Sequence, residues 1–224
     1  MINYLDILKN STSDRSGHLH PSAAGSCLNR QLYEYFAVEA IISPESHEIF
    51  RIGHMVHDQV QRAWTNAGVL EASEVPVALP EYYIKGHADG VGSIAGKRYV
   101  LEIKSINPWG FMGPLPKAEH VEQVQLYMHI LGIKDALFLY INKNILDAGV
   151  DLSQFTFEQY MNGFYFKIFH EKYNPEIVNR RLEIYSVLKQ YVDAGQVIDN
   201  IRYNPNDRGC AEFCGYASHC SQRQ

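Results

Sequence analysis

Asp89, Glu102 and Lys104 are the residues of this chain whose types and spacing could do chemistry. Asp89 lies in Ile84-Lys85-Gly86-His87-Ala88-Asp89-Gly90-Val91, and the other two in Tyr99-Val100-Leu101-Glu102-Ile103-Lys104-Ser105. Both segments have the composition of strands. Side chains alternate along a strand, so Glu102 and Lys104 share one face while Leu101 and Ile103 share the other. Two carboxylates and an ammonium converging at a sheet edge can hold a hard divalent cation and stabilise charge on a phosphate.

Other segments flank this set in a fixed order. Gly53-His54-Met55-Val56-His57 precedes it on an expected helix, and Gln123-Val124-Gln125-Leu126-Tyr127 follows on another. Each pair of end residues is one helical turn apart. With Gly86-His87-Ala88-Asp89 and Glu102-Ile103-Lys104, and with Cys27, Cys210, Cys214 and Cys220 at the flanks, the chain resembles the RecB-like branch of the PD-(D/E)XK nucleases. Within that branch it is similar to the CRISPR-associated and phage-encoded iron–sulfur exonucleases. The resemblance runs from about Ser22 to Cys220 and rests on the order of the motifs together with the split cysteines.

The resemblance implies an α/β fold with the PD-(D/E)XK restriction-endonuclease-like core, αβββαβ, and a helical elaboration. It also implies Mg²⁺ or Mn²⁺ held by His57, Asp89, Glu102 and the main-chain carbonyl of Ile103. Lys104 would orient or help deprotonate the attacking water, while Gln123 and Tyr127 would position DNA and the site. His87 is second shell or groove lining, Glu74 is a further carboxylate candidate, and His120 reads as surface.

Four cysteines permit disulfides, zinc, a cluster or plain thiols. One distant cysteine plus a C-terminal triplet resembles the 4Fe–4S site of the iron–sulfur nucleases, which joins the chain ends. The departure is Cys210-x-x-x-Cys214, where the commoner family spacing has two intervening residues. Zinc, with His219 as a substitute ligand, is the runner-up.

At 224 residues, 46% apolar and 20% charged, the chain is expected to form one globular domain over 1–224, with 22–36 and 204–224 as the iron–sulfur region. The net charge of −5 is unusual for a nucleic-acid binder. Carboxylates gathered to bind metal explain part of it, and local basic patches still contact phosphates. No apolar run is long enough for a bilayer, and the N-terminus has neither a basic region nor an apolar signal core, so a cytosolic protein is expected. The expected partner is DNA, single-stranded or at ends, with no membrane. The alternative is a DNA-end-binding or processing subunit of a larger recombination or CRISPR-adaptation complex, carrying zinc or a cluster structurally.

The elements that must position these residues can be read from periodicity and punctuation. Residues 1–20 are polar and irregular. Pro21 and Ser22 start a helix over ~22–36 that Cys27 helps open. A second helix begins at Ser43-Pro44, with Ile49, Phe50, Ile52, Gly53, Val56, Val60 and Trp64 as its apolar stripe, and ends at Ala67-Gly68. Strands follow over Val69–Leu79, Tyr82–Ile94 and Lys97–Ile106, with Ala95-Gly96 a tight turn. Lys117–Leu131 is helical up to Gly132, and Ala136–Ile141 is a buried strand. From Thr156 to Tyr203 the chain reads as helical with a break near Asn174-Pro175, and 204–224 as loop.

Overall fold

The computed structural model describes residues 15–147, 149–199, 204, 206, 208–211 and 213–221. Helix α1 (Leu28–Tyr35) is followed by α2 (Pro44–Asn66), whose start is set by Ser43. The Ser43 side chain accepts the Ser46 N–H at 3.2 Å, and Pro44 sits where a missing N–H breaks no helical bond. Strands β1 (Leu70–Leu79), β2 (Ile84–Ile94) and β3 (Lys97–Ile106) then form an antiparallel meander. Ala95 and Gly96, at φ 51° and 77°, make the left-handed two-residue turn that matches strand twist.

A short helix α3 (Pro108–Met112) leads into α4 (Ala118–Leu131), which ends on Gly132 at φ 68°. Helix α4 is the crossover that makes β4 (Asp135–Asn142) parallel to β3, with Glu102 opposite Phe138 and Lys104 opposite Tyr140. The run α2, β1, β2, β3, α4, β4 is the αβββαβ order, interrupted only by α3 and single-turn elements. After α5 (Asn144–Asp147) and α6 (Phe157–Asn162), strand β5 (Phe166–Lys172) pairs antiparallel with β4. The strand order is β1-β2-β3-β4-β5. Helix α7 (Pro175–Asp193) and the short helices α8 (Arg208–Ala211) and α9 (Ala217–Ser221) complete the described chain.

Strand alternation divides the core. Leu101, Ile103, Leu139 and Ile141 pack with Val56, Val60, Ala63 and Trp64 of α2. On the other face Val100, Ala136, Phe138 and Tyr140 pack with Val124, Tyr127 and Met128 of α4. Glu102 and Lys104 have the parity of Val100, so they fall on the α4 side. A third cluster seats α7 and α1 through Leu32, Leu126, Tyr185, Leu188, Ile84 and Leu19.

Four expectations are corrected. The helix over 22–36 is a 3₁₀ turn (Pro21–Ala23) and then α1, because Gly25 takes φ 76° and breaks the helix; Cys27 is the N-cap residue. The stripe of α2 is buried only in its second half, with Ile49 and Phe50 about half exposed. The segment after Thr156 is not continuously helical. Phe166 and Ile168 face the α2 side while Phe169 faces the α4 side, which is the period of a strand. The C-terminal loop contains α8 and α9. Of the expected elements, residues 1–14, 200–203, 205, 207, 212 and 222–224 lie outside the described residues.

Candidate metal and phosphate site

Asp89 stands where the sheet opens. The last β2–β3 pair is Gly90 with Leu101, and beyond it β2 leaves β3, keeping its pairing with β1 and a single bridge from Ile84 to Leu19. Asp89 is the next residue outward. Its carboxylate replaces the missing strand contact, with Oδ2 accepting the Ile103 main-chain N–H at 2.7 Å. Its Oδ1 is 3.5 Å from His57 Nδ1. His57 is one turn after Gly53, and a Cβ built on Gly53 would meet nothing within 4 Å, so the space above the glycine is open.

On β3, Glu102 is 1% exposed. Lys104 Nζ lies 2.6 Å from Glu102 Oε1, yet neither carboxylate oxygen has a hydrogen bond of good geometry among the described residues. Lys104 also donates to Gln123 Oε1 at 3.2 Å, and Gln123 Nε2 donates to the Tyr127 hydroxyl at 3.0 Å. Since an ammonium only donates, this chain fixes which end of the Gln123 amide faces Lys104. Gln123 and Tyr127 are buried, so they support Lys104 from behind.

Two neighbours extend the site. Between the pairs Ser73–Gly90 and Val75–Ala88, Glu74 stands across from Asp89 in a left-handed conformation, φ 48°. One ligand atom from each of His57, Glu74 and Asp89 falls within a 4.8 Å group, the kind of oxygen–nitrogen set that Mn²⁺ or Mg²⁺ takes. Gln61, one turn after His57, donates to Glu74 Oε1 and to the Asp89 carbonyl, both at 2.9 Å. Gln61 was not anticipated, although its spacing of four from His57 was visible. His87 is exposed and makes no described contact with Asp89.

Burial sets the electrostatics. It lifts the Asp89 carboxyl from 3.8 to about 6, against the pull of Lys104 and the Ile103 N–H. It lifts Glu102 from 4.5 to about 7, with the neighbouring Asp89 adding to the rise and Lys104 opposing it. Burial also holds His57 below its ordinary range, leaving a neutral imidazole. Lys104 stays raised despite its burial because Glu102 and Asp89 outweigh the desolvation. Two hard-to-ionise carboxyls, a neutral imidazole and a buried Glu102 Oε2 that meets no donor among the described residues are what a cation would relieve, so the donor set fits a divalent metal.

Three of the four cysteines lie near one another in the C-terminal segment. Cys214 feels both Cys210 and Cys220, as well as Arg30 of α1. The segment docks on α1 through Tyr33 stacked on Tyr216 at 5.4 Å, and Ile41 N–H donates to the Gly215 carbonyl at 2.8 Å. Cys27 is exposed at the start of that same helix. No three of the thiols lie within 4.8 Å of one another. Tetrahedral zinc at ~2.3 Å from each sulfur needs thiols ~3.8 Å apart, whereas a cluster, being larger, holds its thiolates farther apart.

No family model and no curated protein matches the sequence. Solved structures do. The structure of SSO0001 superposes with a TM-score of 0.58 at 16% identity, covering 98% of this chain and 92% of that one. LHK-Exo in complex with dAMP superposes with a TM-score of 0.56 at 16% identity, covering 81% and 90%. LHK-Exo from Laribacter hongkongensis, described as an alkaline exonuclease, also superposes, with a TM-score of 0.54, 14% identity and the same coverages. The five-stranded α/β fold of this chain is thus one that an alkaline exonuclease also uses.

Proposed function

We propose that this chain is a divalent-metal-dependent DNA exonuclease that hydrolyses phosphodiester bonds, acting on single-stranded DNA or DNA ends, with a structural 4Fe–4S cluster. The whole of 1–224 serves as one nuclease domain, and 22–36 with 204–224 forms the cluster region. The observation that carries this reading is Glu102, whose buried Oε2 meets no donor among the described residues while Oε1 pairs with Lys104, beside Asp89. The fold shared with an alkaline exonuclease supports it.

His57, Asp89, Glu102 and the Ile103 carbonyl are assigned as the metal-holding groups, and Glu74, which falls within one 4.8 Å group with His57 and Asp89, joins them. When bound, the cation polarises the scissile phosphate and lowers the pKa of a coordinated water. Lys104 carries its charge to the phosphate oxygens as negative charge grows there. Glu102 and Gln123 fix the direction of the ammonium, and Tyr127 anchors Gln123. Cys27, Cys210, Cys214 and Cys220 are assigned to the cluster, which ties α1 to the C-terminal segment.

The test is digestion of DNA labelled at either end, single- and double-stranded, with Mg²⁺ or Mn²⁺. Progressive release of mononucleotides supports the exonuclease reading. Internal fragments of discrete length would turn it into an endonuclease reading on the same residues.

A further inference from the structure

His120 lies in the first turn of α4, three residues before Gln123, and so follows the same face outward from Lys104. Its half-buried ring lies beside Tyr140, with centroids 5.7 Å apart. His120 Nδ1 is 2.7 Å from the Tyr140 hydroxyl, and the Lys117 N–H donates to that same hydroxyl at 3.2 Å. The hydroxyl has one hydrogen to give, and Lys117 N–H is a donor that cannot take it. Among the described residues the hydrogen goes to His120 Nδ1, and the ring carries its own hydrogen on Nε2.

That Nε2–H meets no described residue. Burial disfavours positive charge on the ring, and Lys104 and Lys117 are both near enough to add to the effect, so the imidazole stays neutral. Two ammoniums and one outward N–H donor thus sit together at a helix N-terminus, whose dipole favours an anion. Glu119, the acidic residue of this turn, has its stem against Gly25, and its carboxylate is felt at the Tyr140 hydroxyl, so it opposes the two ammoniums in part.

We propose that His120 is a phosphate-binding residue, its Nε2–H donating to a non-bridging oxygen of a DNA phosphate seated between Lys104 and Lys117. This rests on the functional reading above and adds a residue to it. Because the donor is neutral, the contact gives affinity without releasing a counterion, unlike that of Lys117.

The test is binding of fluorescent single-stranded DNA in EDTA across a salt series, using the full chain. His120→Ala should weaken binding by roughly ten- to a hundredfold, the value of a hydrogen bond to a charged group, with the salt slope unchanged. His120→Gln, which returns an N–H donor, should recover most of the affinity. Lys117→Ala should make the slope shallower by roughly 0.7–0.9. Nitrogen-15 NMR of the wild type should show a neutral ring protonated on Nε2 between about pH 6 and pH 8. A ring protonated on Nδ1, or His120→Ala binding DNA like the wild type, overturns the assignment while leaving the nuclease reading intact. A wild-type protein that neither binds nor cleaves DNA overturns both.

Discussion

Asp89 Oδ2 accepts the Ile103 main-chain N–H at 2.7 Å, so a candidate metal ligand also completes the sheet where β2 and β3 part. The two roles separate by substitution. Asp89→Asn keeps an acceptor for the N–H and removes the charge. It should melt within a few degrees of the wild type and lose cleavage. Asp89→Ala leaves the N–H without this acceptor, at a cost of about 1–3 kcal/mol, and should be the less stable of the two by thermal melting. Equal cleavage by Asp89→Asn and wild type would remove Asp89 from the metal set.

Lys104 and Glu102 should be coupled in stability as well as in activity. Lys104→Met leaves Glu102 buried without its cation, and removing one partner of a buried pair typically costs about 3–5 kcal/mol. Protonation of Glu102 softens this, so the loss should grow as pH rises. Glu102→Gln leaves the Lys104 ammonium without its anion and should also lower stability, by less than Lys104→Met because part of the Lys104 side chain reaches solvent. A double-mutant cycle by urea unfolding checks both expectations. Additive effects would show that the 2.6 Å contact carries no stability.

The metal-free protein should become less stable as pH rises. Asp89 and Glu102 have folded pKa values of about 6 and 7, above their ordinary 3.8 and 4.5. The folded state therefore holds these protons more tightly, and the stability they contribute is complete at low pH and lost as pH rises through the folded values. Metal binding needs both carboxylates ionised, so the rise in melting temperature on adding Mn²⁺ should be larger near pH 8 than near pH 5. Asp89→Asn with Glu102→Gln should flatten the metal-free pH dependence. A Mn²⁺ shift independent of pH would contradict the assignment.

The cysteine end makes a separate prediction. Protein purified without oxygen should be brown, contain about four irons per chain and absorb broadly near ~400 nm. Closing the loop from Cys27 to Cys210 should add roughly 4–5 kcal/mol if the disulfide formula transfers to a cluster, so loss of any one cysteine should lower stability first and activity only through it. Stoichiometric zinc without iron would move the site to a single metal ion, despite the spread of the thiols.

The central elements were legible because their signals are local. Ser43-Pro44, Ala95-Gly96 and Gly132 each act through backbone chemistry that the residue type dictates. Strand alternation in Val100–Lys104 was visible for the same reason. Strand β5 was misread because Phe164, Phe166, Ile168 and Phe169 offer both a helical and an alternating spacing, and only pairing with β4 decides. Gly25 lies between the start signal at Pro21-Ser22 and the apolar pattern that begins at Leu28, and neither signal shows that its backbone turns left-handed. Gln61 and the His120–Tyr140 pair depend on contacts between distant elements, which no spacing in the chain encodes.

The proposed role of Glu102 and Asp89 as metal ligands beside Lys104 is tested most directly by cleavage of end-labelled DNA by wild type and Glu102→Gln. The account predicts that wild type cleaves with Mg²⁺ or Mn²⁺ and not with EDTA. Glu102→Gln, with an intact melting transition, should be at least about a thousandfold slower, as expected when the metal-borne stabilisation of the transition state is lost. Cleavage by Glu102→Gln at the wild-type rate, or wild-type cleavage that persists in EDTA, would contradict it.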